Sequence, residues 1–218
     1  MCHTFNPSTL MPLVDIPLPE LDAAPVPYPV RKFLAEADKR VEEALADAGI
    51  PGFVPSDYEN FYRTLRAITD ASLLRGNTFL EWGSGLGVSA SLAAMIGYEA
   101  VGIETEWELV DTARQLAEAF DVPVEFIHGS FIPRGHDDIT AGEYSWLVTE
   151  SDDAYPQAGL DPDDFDLIFV YCWPDDEQTT ADLFENCAGV GTVLMTFKGG
   201  DGYRLRRKVE GKGKKKRR

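Results

Sequence analysis

Apolar residues recur along the chain at two spacings, and each spacing predicts a different kind of element. Val30, Phe33, Leu34, Ala37, Val41, Ala44 and Leu45 stand three or four apart, the stripe of an amphipathic helix that Gly49 and Pro51 end. After the loop Gly52-Phe53-Val54-Pro55-Ser56, a second helix carries Tyr58, Phe61, Tyr62, Leu65 and Ile68 inward. Ser56 and Glu59 have the spacing of a capping box at its start, and Gly76 helps to stop it. Beyond it the spacing changes. Short apolar runs at 77–82, 99–105 and 124–130 alternate with helical stretches at 88–96 and 108–120. Residues 131–164 interrupt this rhythm with nine acids against Arg134 alone, and with several Gly and Pro residues, which predicts a surface insertion. The rhythm resumes with runs at 165–173 and 191–197 around a helix near 178–186. Strand and helix in alternation imply parallel βαβ units, hence a three-layer α/β domain with a mainly parallel sheet. Residues 1–29 hold seven of the fourteen prolines and are expected to form an extended arm, either wrapped on the domain or loose.

Composition narrows the class. A chain of 218 residues, 44% hydrophobic and 26% charged, can bury one good core, and it is neither collagen-like nor wholly disordered. No apolar run approaches the roughly 20 residues of a membrane helix, and the start has no basic n-region with an apolar h-region, so a cytoplasmic protein without membrane contact is expected. Cys2, Cys172 and Cys187 are too scattered for a disulfide framework, and no Cys/His spacing resembles a zinc site. Charge then divides the chain. Ten of the twenty Lys and Arg residues lie in 204–218, opposed only by Glu210, so residues 1–203 carry −26 and the tail +9. The expected organisation is an arm (1–29), a domain (30–203) and a basic tail (204–218). The acidic body disfavours nucleic acid and favours a basic protein or a small amine as partner. The tail has no aromatic residue to stack a base and would touch phosphates or acidic surfaces without sequence preference. Both charge blocks also read as plain solvated surface.

Candidate chemistry centres on Glu81-Trp82-Gly83-Ser84-Gly85-Leu86-Gly87, between a predicted strand and a predicted helix. Glycines at 83, 85 and 87 allow a tight turn and close approach of a ligand, although a glycine triplet alone also serves as a ligand-free turn. Two acids add to the signal. Glu81 ends the first strand of the alternation, and Glu104 ends the second, where a carboxylate can accept from both hydroxyls of a ribose. A nicotinamide-binding loop would place its third glycine at 88, where this chain has Val88, and an acid before the loop suits a cationic amino-acid group better than a pyrophosphate.

These residues, with the later Val101-Gly102-Ile103-Glu104, resemble the cofactor signature of class I, seven-strand, Rossmann-like S-adenosylmethionine-dependent methyltransferases over roughly residues 52–198. The resemblance implies that Glu81 binds the methionine part of S-adenosylmethionine, that Gly83, Ser84, Gly85 and Gly87 line it, and that Glu104 holds the ribose. It places Thr105 and Glu106 beside the adenine. Where the family often has an acid after the third strand, this chain has Ser130, able to hydrogen-bond the adenine, and Phe131, able to pack on it. Phe53-Val54-Pro55 ahead of the cofactor loop also resembles small protein-lysine methyltransferases of the ATP synthase c-subunit type. Members usually finish with an antiparallel pair of strands. Only twenty-one residues follow Phe197 here, so that hairpin is expected to be absent or reduced to a strand near 203–209.

The methyl acceptor should sit beyond the fourth strand of the alternation, at Tyr171-Cys172-Trp173-Pro174. Tyr171 and Trp173 can wall a desolvating pocket, and Asp175 or Asp176 can bind or deprotonate an amine. The same aromatics also read as core and the same acids as helix caps. No Asn/Asp-Pro-Pro-Tyr motif is present, which argues against amino-methylating DNA enzymes and their glutamine-modifying relatives. His128 reads as structural or catalytic, and Cys172 as a buried thiol. The leading expectation is a methyltransferase acting on a nucleophile such as a protein lysine amine. The alternatives are a nucleoside-binding module without catalysis and a nicotinamide-dependent reductase.

Overall fold

The computed structural model describes residues 12–46, 54–136, 151–172, 176–197 and 202–211. The arm supplies strand β1 (Leu13–Ile16), and helices α1 (Tyr28–Ala46) and α2 (Tyr58–Asp70) follow. Then come β2 (Thr78–Trp82), α3 (Val88–Ile96), β3 (Glu99–Glu104), α4 (Trp107–Ala119) and β4 (Val124–His128). A short α5 (Tyr155–Ala158) and a turn of 3-10 helix (Pro162–Asp164) lead to β5 (Leu167–Val170), α6 (Glu177–Cys187), β6 (Val193–Phe197) and β7 (Tyr203–Lys208).

The strands form one sheet in the order β1-β7-β6-β5-β2-β3-β4. β2 to β6 run parallel, and β7 runs antiparallel to β6. The C-terminal hairpin is thus reduced to one strand, as its length predicts. The seventh strand comes from the other end of the chain: β1 pairs antiparallel with β7, Leu13 opposite Lys208 and Ile16 opposite Leu205. The alternative of a wholly loose arm is therefore overturned for residues 13–16, and the first third of the basic tail, 204–208, lies within the sheet.

Each face of the sheet is covered. Val30, Phe33, Ala37 and Val41 of α1 and Phe61, Leu65 and Ile68 of α2 pack with α3 and α4 over Phe79, Phe169, Met195 and Leu205. Leu183 and Phe184 of α6 pack over Leu80, Ile168 and Leu194 on the other face. The parallel strands are apolar on both sides because both sides are buried. α3 is buried almost all round, from Val88 to Ala94, which explains why it lacks a polar face.

Four local expectations change. α2 is capped by Asp57, whose Oδ1 accepts from Asn60 N at 3.0 Å, and not by Ser56. Glu59 instead binds Arg63 of its own helix at 2.8 Å. The helix ends at Ala71 and the left-handed Ser72 (φ 50°), well before Gly76. Leu45 lies outside the buried stripe of α1 and is exposed. Finally, the acid-rich stretch is not all surface. A bridge between Ser130 and Asp153 folds it back, and Ile132, Ala154 and Tyr155 become core beneath α6. Residues 137–150 lie outside the described residues. Among those described, no helix is long and apolar enough to cross a membrane.

Candidate functional site

Strand order reverses between β5 and β2, because β2 is flanked by β5 on one side and β3 on the other. In an open parallel sheet that reversal opens a crevice at the carboxyl ends of the strands, and the glycine loop lies there. Gly83, Gly85 and Gly87 all adopt left-handed backbone, with φ of 70°, 53° and 69°. The amides of Gly83 and Ser84 both donate to Ile103 O at 3.0 and 2.9 Å, so the loop is fastened to β3. Two of the glycines do different work. A Cβ on Gly87 would fall 2.2 Å from the Phe126 ring, so the chain there must pass close to β4. A Cβ on Gly83 would meet nothing within 4 Å, so this part of the loop presents bare backbone to open space.

Glu81 is buried under the loop. Its Oε2 accepts from Ala90 N at 2.9 Å, Ser89 bonds it as well, and no cation among the described residues pairs with it. Burial pushes its carboxyl up to about 8, with the charge of Glu104 adding and the bonds from Ser89 and Ala90 opposing. The phenols of Tyr58 and Tyr203 stand close enough for Glu81 to raise them further, although burial is the main cause for both. A buried acid without a counter-ion suits a ligand that brings a positive charge.

Glu104 ties two segments together. Its Oε2 accepts from Gly85 N at 2.8 Å, while Oε1 accepts from Thr105 N at 2.7 Å and Glu106 N at 3.0 Å. The carboxylate is therefore held facing the glycine loop, with acceptor capacity left on Oε2. Thr105 adds a hydroxyl bond to the same oxygen at 3.2 Å, and its carbonyl meets His128 Nε2 at 2.9 Å. His128 thus joins the ends of β3 and β4 and stacks edge-on against Trp107.

Ser84 seats the loop: its buried side chain packs where β3 has Gly102. Ser130 is buried too, and its Oγ accepts from Ile132 N at 3.1 Å. Phe131 stacks on Trp82 with ring centroids 5.1 Å apart and planes within 10°. Trp82 in turn donates from Nε1 to the Tyr155 hydroxyl at 2.9 Å. Ser130 and Phe131 stand beyond the end of β4, on the same edge of the sheet as the glycine loop.

At the end of β5, Tyr171 packs against Phe197 at 5.3 Å, and Phe197 against Tyr203 at 5.1 Å, an aromatic wall from three strands. Cys172 lies 3.4 Å from Thr180 Oγ1, and burial pushes its thiol up, so it stays protonated. Asp176 is buried at the start of α6 and makes no side-chain capping bond. Trp173 and Asp175 lie outside the described residues. Tyr58 and Tyr203 beside Glu81, and Thr196 and Arg206 on the sheet face that α6 covers, are not among the candidates that the sequence motifs single out. The available signal for Tyr203 and Arg206 was the alternation of Tyr203 and Leu205 with Arg204 and Arg206, the period of a strand.

The geometry fits S-adenosylmethionine in its donor set: an unpaired buried acid for an ammonium, an oriented acid for a ribose, and exposed loop backbone between them. No protein-family model matches the chain, and no curated protein matches it. Solved structures do match. A methyltransferase from Geobacter sulfurreducens superposes with a TM-score of 0.50 at 16% identity, over 86% of this chain and 93% of that one. Cofactor-bound Rv0187 from MTB gives a TM-score of 0.50 at 17% identity, over 86% and 100%. An RNA methyltransferase from Salinibacter ruber, in complex with S-adenosyl-L-homocysteine, gives 0.48 at 19% identity, over 73% and 95%. Likeness at such identities speaks to fold, and the first two matches, with the sheet order above, give this chain the class I S-adenosylmethionine-dependent methyltransferase fold.

Proposed function

We propose that the protein transfers a methyl group from S-adenosylmethionine to an amine, either a lysine of a basic protein or a small amine. The observation that carries this reading is the pairing of Glu81, buried without a cation, with Glu104, held against the open glycine loop. When bound, the cofactor supplies a methyl already activated on a sulfonium. The chain's own residues bind and orient. Glu81 meets the amino group of the methionine part, the Gly83 to Gly87 backbone gives close contact, and Glu104 Oε2 accepts from the ribose.

An amine acceptor must lose its proton before it attacks. The wall of Tyr171, Phe197 and Tyr203 desolvates the space beyond β5, which lowers an amine's pKa. In this reading Asp175 or Asp176 takes the proton. The charge of −26 on residues 1–203 raises the local concentration of cationic acceptors. Incubating the full chain with methyl-labelled cofactor and fractionated lysate tests the reading. Label in a basic protein or small-amine fraction supports it. Cofactor binding with no label in any fraction favours the non-catalytic binding module, and label in nucleic acid alone overturns the amine.

A further inference from the structure

The amino edge of the sheet, away from the glycine loop, carries an open groove of about 450 Å³. Its floor is apolar, formed by Val101 of β3 with Leu160 and Phe165 of the segment that leads into β5. Strand period and register bring two acids to the same face: Glu99 stands two residues before Val101, and Glu125 of β4 stands opposite it. Asp164 joins them from the 3-10 turn. All three acids are exposed, and no Lys or Arg among the described residues pairs with them. An apolar floor rimmed by acids without a counter-ion fits long side chains with a cationic end, whose methylenes cover the floor while the charge reaches the rim.

The chain itself delivers such side chains to this edge. β7 runs antiparallel to β6, so it leaves the sheet beside the start of β6, where Lys208 N donates to Thr192 O and Val209 N to Pro12 O. Acids link that exit to the groove. Lys208 Nζ donates to Ala188 O, and the next residue, Gly189, lies so near the 3-10 turn that a Cβ there would stand 3.0 Å from Asp163 O. Asp163 is exposed and precedes Asp164 of the groove. Residues 212–218, Lys-Gly-Lys-Lys-Lys-Arg-Arg, lie outside the described residues and carry six positive charges. β3 stands four strands from β7, about 19 Å. The ten residues after Lys208 span about 33 Å when extended, so they reach the groove. Residues 1–11 precede β1 at this edge too, but they contain no Lys or Arg.

We propose that residues 212–218 dock within their own chain in this groove, with lysine stems on Val101, Leu160 and Phe165 and ammonium groups at Glu99, Glu125 and Asp164. Exposed ion pairs are individually weak. A segment tethered to its site by a few residues faces an effective concentration on the order of mM, and several weak pairs then hold it. The docked tail neutralises part of the acidic body at the edge opposite the glycine loop, and it leaves the cofactor crevice open. While in place it also keeps basic partners out of the groove. This docking does not depend on methyl transfer.

Backbone amide resonances of the full chain, compared with those of the chain shortened by residues 212–218, test this. Beyond the residues next to the cut, the expected differences are confined to 99–101, 124–125 and 160–165. They persist on dilution and disappear at about 0.5 M salt, where exposed charges are screened. Glu99→Gln with Glu125→Gln in the full chain should remove the same differences at 160–165. A synthetic Lys-Gly-Lys-Lys-Lys-Arg-Arg peptide should shift those amides in the shortened chain, and bind about 10-fold more weakly to the full chain, whose own tail competes. No difference at the groove, differences centred on the glycine loop or Glu177, or equal peptide binding by both chains would overturn the proposal. Differences that grow with protein concentration would also overturn it, by assigning the tail to a second copy.

Discussion

The chemistry of single residues makes Glu81 the most informative position. With its carboxyl pushed up to about 8, the folded chain holds a proton that the unfolded chain releases near 4.5. Folding therefore draws extra stability from this proton below about 4.5, and that stability is lost as pH rises through about 8. Between those values the slope is about 1.4 kcal/mol per pH unit. Chemical denaturation of the ligand-free protein across that window should show the loss, and Glu81→Gln should flatten it. An ammonium ligand reverses the preference, so cofactor binding near pH 7 should release close to one proton, measurable by calorimetry in buffers of different ionisation enthalpy. Gly87 makes a second prediction. Gly87→Ala puts a methyl into the Phe126 ring at a left-handed φ, and should cost about 1 to 3 kcal/mol of stability. Thermal melts of the variant would read it. Both residues were legible in the sequence because an acid, three glycines and a second acid have a fixed spacing. Tyr58 was legible as an inward residue of its helix but not as a neighbour of Glu81, and Tyr203 was not legible, because nothing in their own segments says that either stands near that acid.

For the elements, periodicity located every helix of the alternating part to within about two residues, since burial on one side or both writes its own spacing. Caps were harder: Ser56 and Asp57 are adjacent N-cap residues, and only the chain's entry angle selects Asp57. β1 escaped the reading entirely. Four residues in a proline-rich arm carry no strand period, and their partner β7 lies at the other end of the chain. β1 protects what would otherwise be an open strand edge. Deleting residues 1–17 removes that pairing and the Asp15 contact to Arg204. Hydrogen exchange should then quicken at the β7 amides that face β1, while β3 and β4 at the far edge stay protected. Unchanged protection of β7 would show that β1 contributes no pairing in solution.

At the level of the whole molecule, charge and topology act together. The basic run at the C-terminus is two things: residues 204–208 are sheet, and six further Lys and Arg residues lie in 212–218. Composition alone cannot divide them, because a strand can carry basic residues on a covered face, as β7 does with the buried Arg206 and Lys208. The acidic body should accelerate encounter with a basic peptide acceptor. Its kcat/KM should therefore fall as salt shortens the field to below about 10 Å. Deleting residues 212–218 should leave that activity intact or raise it, whereas a fall would assign the tail to recruitment of an acidic partner. All of this depends on a nucleoside site formed by the glycine loop with Glu81 and Glu104. Calorimetric titration of the full chain with S-adenosylhomocysteine, repeated on Glu104→Ala, tests that site most directly. Saturable one-to-one binding is expected, weakened by about 1.5 to 3 kcal/mol in the variant as a charge-assisted bond to the ribose is lost. Equal affinity in both proteins, or binding of a nicotinamide dinucleotide in place of S-adenosylhomocysteine, would contradict it.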